Sequence, residues 1–173
     1  WANRYINSAT REFIKAVLLR EDAPQDCASR LEEIAQKKTK ILRQLMKNVT
    51  EAKNNQQEDL YKLSLKNYEE EVDQYLPVLM AHARIYWDKK EYDAVESLFR
   101  RSVEFCNDQE SWRINVAHTM FVQGNKFTEA SNFYEPIVQQ ILSDPSASIT
   151  DIEAVVLANL CVCYIMTSRN EQA

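Results

Sequence analysis

The chain has 173 residues, 45% of them hydrophobic, and 21 Lys and Arg against 26 Asp and Glu give a net charge of -5 and a pI near 5.2. An acidic balance with no basic stripe interleaved with aromatics argues against a nucleic-acid or anionic-membrane surface. One glycine cannot supply the positive-φ turns that a sheet protein of this length uses, so the composition predicts an all-α fold.

In chain order, the start Trp1-Ala2-Asn3-Arg4 has no signal-peptide form, and Ile6, Ala9, Phe13 and Val17 mark an amphipathic helix. We read residues 1–22 as the end of a preceding helical repeat. From Pro24, a good first-turn residue, apolar positions run Cys27, Leu31, Ile34, Ile41, Leu45, Val49 and Ala52, interrupted at Lys38. After the polar turn Lys53-Asn54-Asn55-Gln56-Gln57, a second stripe carries Tyr61, Leu65, Tyr68, Val72, Tyr75, Leu79, Ala83 and Tyr86. The two runs are expected to fold back as a long antiparallel, coiled-coil-like hairpin over 23–74. Pro77 either kinks a long helix or starts a new one, and the unbroken phase of the stripe favours the kink. The acidic run Glu69-Glu70-Glu71 reads as the solvated back of that helix.

From residue 75 onward the pattern changes. Small residues with a large one three positions on recur at Ala83/Tyr86, Ala117/Met120 and Cys161/Tyr164. The first step is 34 residues, the tetratricopeptide period of a helix A, a tight turn and a helix B. With Leu76 as position 1, Leu79, Ala83, Tyr86, Tyr92, Phe99 and Ser102 take positions 4, 8, 11, 17, 24 and 27, and Val95 is oversized at 20. With Glu110 as position 1, Phe127, Ala130 and Tyr134 fit once the turn Gly124-Asn125-Lys126 holds one extra residue. The second step is 44 residues, which places about ten extra around Ser143-Asp144-Pro145-Ser146. The third unit, from Ala154, reaches position 20 at Ala173. The expected architecture is therefore a tetratricopeptide-repeat superhelix, an α-solenoid, over 75–173, with the last repeat truncated and the long hairpin before it. Without an initiator methionine and with a partial final repeat, the chain reads as an internal piece of a longer protein. With no segment apolar enough to span a bilayer, it is expected in the cytoplasm.

Chemistry is scarce. His82 and His118 lack the glutamate three residues earlier that a carboxylate-bridged di-metal bundle requires, and no phosphate loop, Ser/His/Asp order or zinc helix occurs. Cys161 and Cys163, two apart in a helical pattern, point to different faces, and with Cys27 and Cys106 they show no metal-ligand spacing. No cofactor, metal or catalytic residue is expected.

As in other members of the repeat class, helix A positions 2, 5, 9, 12 and 13 line the concave side. Met80, Arg84 and Trp87, then Ile114, His118, Phe121 and Val122, then Val162, Ile165 and Met166 occupy such positions and form the candidate partner-binding groove. Asn115 and Asn159 sit at the asparagine position of peptide-carboxylate clamps, but no groove lysine accompanies them. An apolar groove suits an extended, hydrophobic or proline-containing segment. A generic tetratricopeptide adaptor or co-chaperone, or an auxiliary subunit of an enzyme complex, is the alternative.

Four segments carry a family resemblance: 78–87 (Val-Leu-Met-Ala-His-Ala-Arg-Ile-Tyr-Trp), 99–107 (Phe-Arg-Arg-Ser-Val-Glu-Phe-Cys-Asn), 133–138 (Phe-Tyr-Glu-Pro-Ile-Val) and 156–168, with Pro136 set inside a helix B. In these the chain resembles the intraflagellar transport protein 70 family, also called tetratricopeptide repeat protein 30. The resemblance implies a non-enzymatic scaffold subunit of the intraflagellar transport complex B core, in the cilium or flagellum and the cytoplasm near the basal body. The partners it implies are intraflagellar transport protein 52, through a proline-rich segment, intraflagellar transport protein 88 and other complex B subunits. It also implies a need for the protein in cilium assembly and a link to axonemal tubulin polyglutamylation.

Overall fold

A computed structural model describes residues 7–146 and 148–173, the side chain of Asp151 excepted. Among these residues there are seven α-helices and no strand: α1 (Ser8–Val17), α2 (Pro24–Asn54), α3 (Glu58–Asp88), α4 (Tyr92–Cys106), α5 (Glu110–Val122), α6 (Phe127–Leu142) and α7 (Ala154–Met166), with short 3-10 turns at Ile149–Asp151 and Asn170–Gln172. The chain divides into two compact units, residues 1–91 and 92–173.

In the first unit Asn7 caps α1 by accepting from the Thr10 amide at 2.7 Å, and Pro24 stands in the first turn of α2. The two 31-residue helices α2 and α3 pack along one another, joined by residues 55–57. Ala16 of α1, Cys27, Ala28, Leu31 and Ile34 of α2, and Val78 and Ile85 of α3 form one core. Phe13 and Val17 pack at its edge, Ala9 is exposed, and Ile6 lies outside the described residues.

The apolar stripe of α2 differs from the expected one at its middle. Lys38 occupies the stripe instead of interrupting it, and the next buried residue is Leu42, while Ile41 is 48% exposed. The Lys38 ammonium is buried because α3 supplies its partners: Nζ donates to Glu71 Oε1 at 2.9 Å and to Gln74 Oε1 at 3.3 Å. Glu71 is consequently turned inward, apart from the solvated Glu69 and Glu70. Nearby, His82 is buried with Nδ1 3.7 Å from Glu32 and its ring 5.4 Å from that of Tyr86.

α3 runs unbroken through Pro77, so the division expected at 74/75 falls inside a helix. Pro77 has no N–H for the carbonyl of Asp73, and both residues are exposed, where water can take the freed acceptor. Pro136 within α6 stands in the same relation to Asn132.

Turns use left-handed residues more than the glycine content suggests. Gly124 (φ 76°) follows α5, but Gln56, Lys90 and Ser168 hold φ of 56°, 61° and 60° after α2, α3 and α7. Each of these three closes its helix with a wrapped-back pair of bonds; for Lys90, its own amide donates to Trp87 O at 2.9 Å and the Glu91 amide to Tyr86 O at 2.9 Å.

The second unit is built around Ala117, Ala130, Tyr134, Val138, Ile152, Val156, Leu160 and Cys163. Register positions 3, 7 and 10 are buried in all three A helices: Val78, His82 and Ile85; Trp112, Val116 and Thr119; Val156, Leu160 and Cys163. The steps of 34 and then 44 residues thus carry one buried face forward. The small-residue anchors follow less uniformly, because Ala83 and Ala117 are buried whereas Cys161 is only half-buried. From the 3-10 turn after α7, Ala173 O accepts from Cys161 Sγ at 3.3 Å.

Glu71→Ala leaves the Lys38 ammonium without its carboxylate and is expected to cost about 3 kcal/mol in urea unfolding, most of which Lys38→Met combined with Glu71→Leu restores. Lys90→Gly relieves a left-handed lysine and is expected to stabilise the chain by about 1 kcal/mol; an unchanged or lowered midpoint contradicts that reading.

Candidate protein-interaction surface

The candidate residues fall into three environments. In the first unit, Met80 and Trp87 are half-buried, and Arg84 is exposed with Nε donating to Asp88 Oδ1 at 2.7 Å. On α5, Ile114 and Phe121 pack against the second unit's core, Phe121 meeting Phe127 edge to face at 5.8 Å. On α7 the same register is uncovered: Val162 is 39% exposed, Ile165 57% and Met166 58%, with Val122 at the end of α5 at 39%. Val155 and Ala158 lie on the same exposed face of α7. No charged residue occurs from Ala154 to Met166, and a helix without a polar face is one that solvent is not meant to meet.

His118 belongs to a polar network inside this surface. Tyr134 of α6 is wholly buried, and its hydroxyl lies 2.5 Å from His118 Nδ1 and 3.1 Å from Asn159 Nδ2, which donates to it. Asn159 Nδ2 is also 3.3 Å from His118 Nδ1. One side chain from each of α5, α6 and α7 thereby meets at one point. Burial pushes the Tyr134 hydroxyl up to about 12 and holds the His118 imidazole below its ordinary value, so the ring is neutral and the tyrosine keeps its proton. Of the two clamp-position asparagines, Asn159 is spent on this network and Asn115 donates to Ser111 O of its own helix at 2.7 Å.

Three further groups were not visible as sites in the sequence. Trp112 Nε1 donates to the buried Ser102 Oγ at 2.9 Å, tying α5 to α4, and the ring stands edge-on to Phe99 and Phe133, each at 6.1 Å. Beside it, a cavity of about 290 Å³ is lined by Val103, Val116, Met120 and Phe133 as well. Glu96 of α4 accepts from Lys126 and from Gln123 Nε2 at 2.9 Å, on either side of the Gly124 turn. Chiefly through Lys126, its carboxyl is held down at about 2. Arg169 donates to Glu135 Oε1 at 2.7 Å and Ser131 Oγ at 2.6 Å and lies 4.7 Å over the Tyr164 ring, fixing the segment after α7 to α6. A helical period cannot show such pairings, since they depend on which faces meet. Among the described residues no group of three or more His, Cys, Asp or Glu is placed to hold a metal ion, and no helix is long and apolar enough to cross a membrane.

Removing the Tyr134 hydroxyl strands two partly buried polar groups, so Tyr134→Phe is expected to cost about 1–3 kcal/mol with helical content retained. Because the folded-state pKa of His118 lies below the 6.5 of the unfolded chain, the unfolded state takes up the proton first on acidification. Stability is therefore expected to fall as pH drops below about 6.5, a slope that His118→Gln reduces in urea midpoints measured across that range.

Comparison with known proteins covers the whole length of the chain. The family described as Intraflagellar transport protein 70 C-terminal domain matches residues 1–173. Intraflagellar transport protein 70A1 of Mus musculus is 44% identical over 170 residues, 98% of this chain and 25% of the relative. Intraflagellar transport protein 70B of Homo sapiens is 44% identical over the same shares, and intraflagellar transport protein 70A of Xenopus tropicalis 43% identical over 98% and 26%. The chain spans about a quarter of the length of these relatives. It belongs to the intraflagellar transport protein 70 family, over that family's C-terminal domain.

Proposed function

We propose that the chain is part of a non-enzymatic scaffold subunit of the intraflagellar transport complex B core, acting in the cilium or flagellum and in the cytoplasm near the basal body. Its A-helix face holds a proline-rich, hydrophobic segment of intraflagellar transport protein 52, and the same subunit contacts intraflagellar transport protein 88 and other complex B subunits. In this role it is needed for cilium assembly and linked to axonemal tubulin polyglutamylation. The family match supports the assignment to intraflagellar transport.

The observation that carries the binding mode is the uncharged helix α7, on which Val155, Val162, Ile165 and Met166 are exposed. Covering such a face with apolar groups returns about 25 cal/mol for each Å² removed from water. A carboxylate there would forfeit that gain, which favours an uncharged, extended occupant over the acidic tails that co-chaperone clamps receive. Met80, Arg84 and Trp87 of the first unit are further candidate contacts by sequence register alone. With His118 Nδ1 and Asn159 Nδ2 engaged at the Tyr134 hydroxyl, shape and apolar contact are the main means of selection.

In the complete protein, Val122→Glu together with Ile165→Glu is expected to abolish co-purification with intraflagellar transport protein 52 while circular dichroism stays unchanged. Both positions are exposed here, so the pair tests the surface and not the core. Undiminished co-purification removes this face from the interface.

A further inference from the structure

We propose that the cavity between α4, α5 and α6 is a second binding site, one that takes the indole side chain of a tryptophan in a partner polypeptide. It lies wholly within the second unit, and its lining shares no residue with α7 or with the candidate groove. At about 290 Å³ it stands at the lower limit of the roughly 300–1,000 Å³ pockets that hold drug-sized ligands, and it has about twice the volume of a ~150 Å³ cavity that takes benzene. That is room for one fused two-ring side chain.

The walls suit an aromatic body. Phe99, Trp112 and Phe133 line the cavity, with Trp112 edge-on to both other rings at 6.1 Å, and a further ring extends such a set by edge-to-face or offset contact. Val103, Val116 and Met120 supply aliphatic and thioether surface, which also packs well on a ring. The side-chain donors of the interior are already used: Trp112 Nε1 donates to Ser102 Oγ at 2.9 Å and Thr119 Oγ1 to Asn115 O at 2.7 Å. A ligand that brought a buried acceptor would leave it unsatisfied.

The rim supplies one polar contact. Glu96 lines the cavity, and its carboxylate accepts from Arg100 Nη2 at 2.8 Å on one oxygen and from Gln123 Nε2 at 2.9 Å and Lys126 on the other. A carboxylate offers about four acceptor positions, so one further donor can be taken, and an indole N–H donates without accepting. A phenol fills less of the volume, a carboxylate is repelled by Glu96, and the head of a lysine or arginine meets Arg100 and Lys126. The mouth decides the source, because Arg100 is exposed there and paired with Glu96, and Val103 is exposed beside it. Free tryptophan would bring its own ammonium and carboxylate against that pair, whereas a tryptophan within a polypeptide brings neutral amides and lays its flanking backbone over Val103.

The test uses the complete protein and N-acetyl-5-fluorotryptophanamide, followed by fluorine NMR. Saturable binding with a dissociation constant of about 1 mM is expected for a single uncharged residue. The methyl signal of Met120, identified through Met120→Leu, is expected to shift in step with it, which reads occupancy in the unaltered chain. Val103→Trp, at an exposed position, closes the mouth and is expected to weaken binding about tenfold or more with circular dichroism unchanged. The 1-methyl form of the probe, which cannot donate to Glu96, is expected to bind about fivefold more weakly. Val122→Glu with Ile165→Glu, on the apolar face of α7, is expected to change binding less than about twofold, so this site and that face are read separately. The proposal is overturned by absent saturable binding, by binding that leaves the Met120 methyl unmoved, or by undiminished binding to the Val103→Trp protein. It is equally overturned if unblocked 5-fluorotryptophan or N-acetyl-3-fluorotyrosinamide binds as tightly as the blocked tryptophan.

Discussion

The second unit depends on the close approach of α5 and α6 at two alanines. Ala117 and Ala130 are both wholly buried in one core, and no larger side chain leaves two helix backbones that near. Bringing the backbones together opens a gap one turn further along, and Tyr134 fills it completely. A phenol in that place must satisfy its hydroxyl, which is why His118 and Asn159 converge on it from the two flanking A helices. Small residue, large residue and polar triangle are thus successive consequences of one packing decision. Helix α7 is tied in by the last of them.

A different constraint governs the long hairpin. Two helices of 31 residues with mostly aliphatic contacts can slide by a turn at little cost, because one leucine replaces another. A buried ammonium cannot slide, since Lys38 finds both Glu71 and Gln74 in only one alignment. Desolvating that charge contributes little net stability, but leaving it unpaired costs several kcal/mol. We attribute to the pair a role in fixing register.

These two cases also show what is legible in a sequence and what is not. The 34-residue step located Ala83 and Ala117 because repeats conserve spacing within one chain, and the expanded step located α7. At position 8 Ala83 and Ala117 are buried whereas Cys161 is half-buried, and of the two cysteines of α7 it is Cys163 that is fully buried, a difference that the spacing does not show. Lys38 appeared as an interruption because hydropathy assigns a lysine to the surface whatever faces it. Its partner Glu71, in a run of three glutamates, was assigned to solvent for the same reason. One misreading produced the next: skipping Lys38 moved the expected stripe to Ile41, one residue short of the buried Leu42. Period and composition identify helices and their inner faces; the pairing of faces, and with it every polar contact between helices, arises only when they are packed. The candidate groove shares this limit, because register gave its residues while the half-burial of Ile114 and Phe121 against the exposure of Val162 and Ile165 depended on which helices were neighbours.

Apolar contact on a face such as that of α7 is short-ranged and insensitive to salt, so its strength resides in slow release once water is excluded. Charge beside such a face raises the cost of desolvating it. No charged residue occurs from Ala154 to Met166, and Val162, Ile165 and Met166 are exposed together there. The ionic contact nearest in sequence, from Arg169 to Glu135, falls after the helix instead of along it.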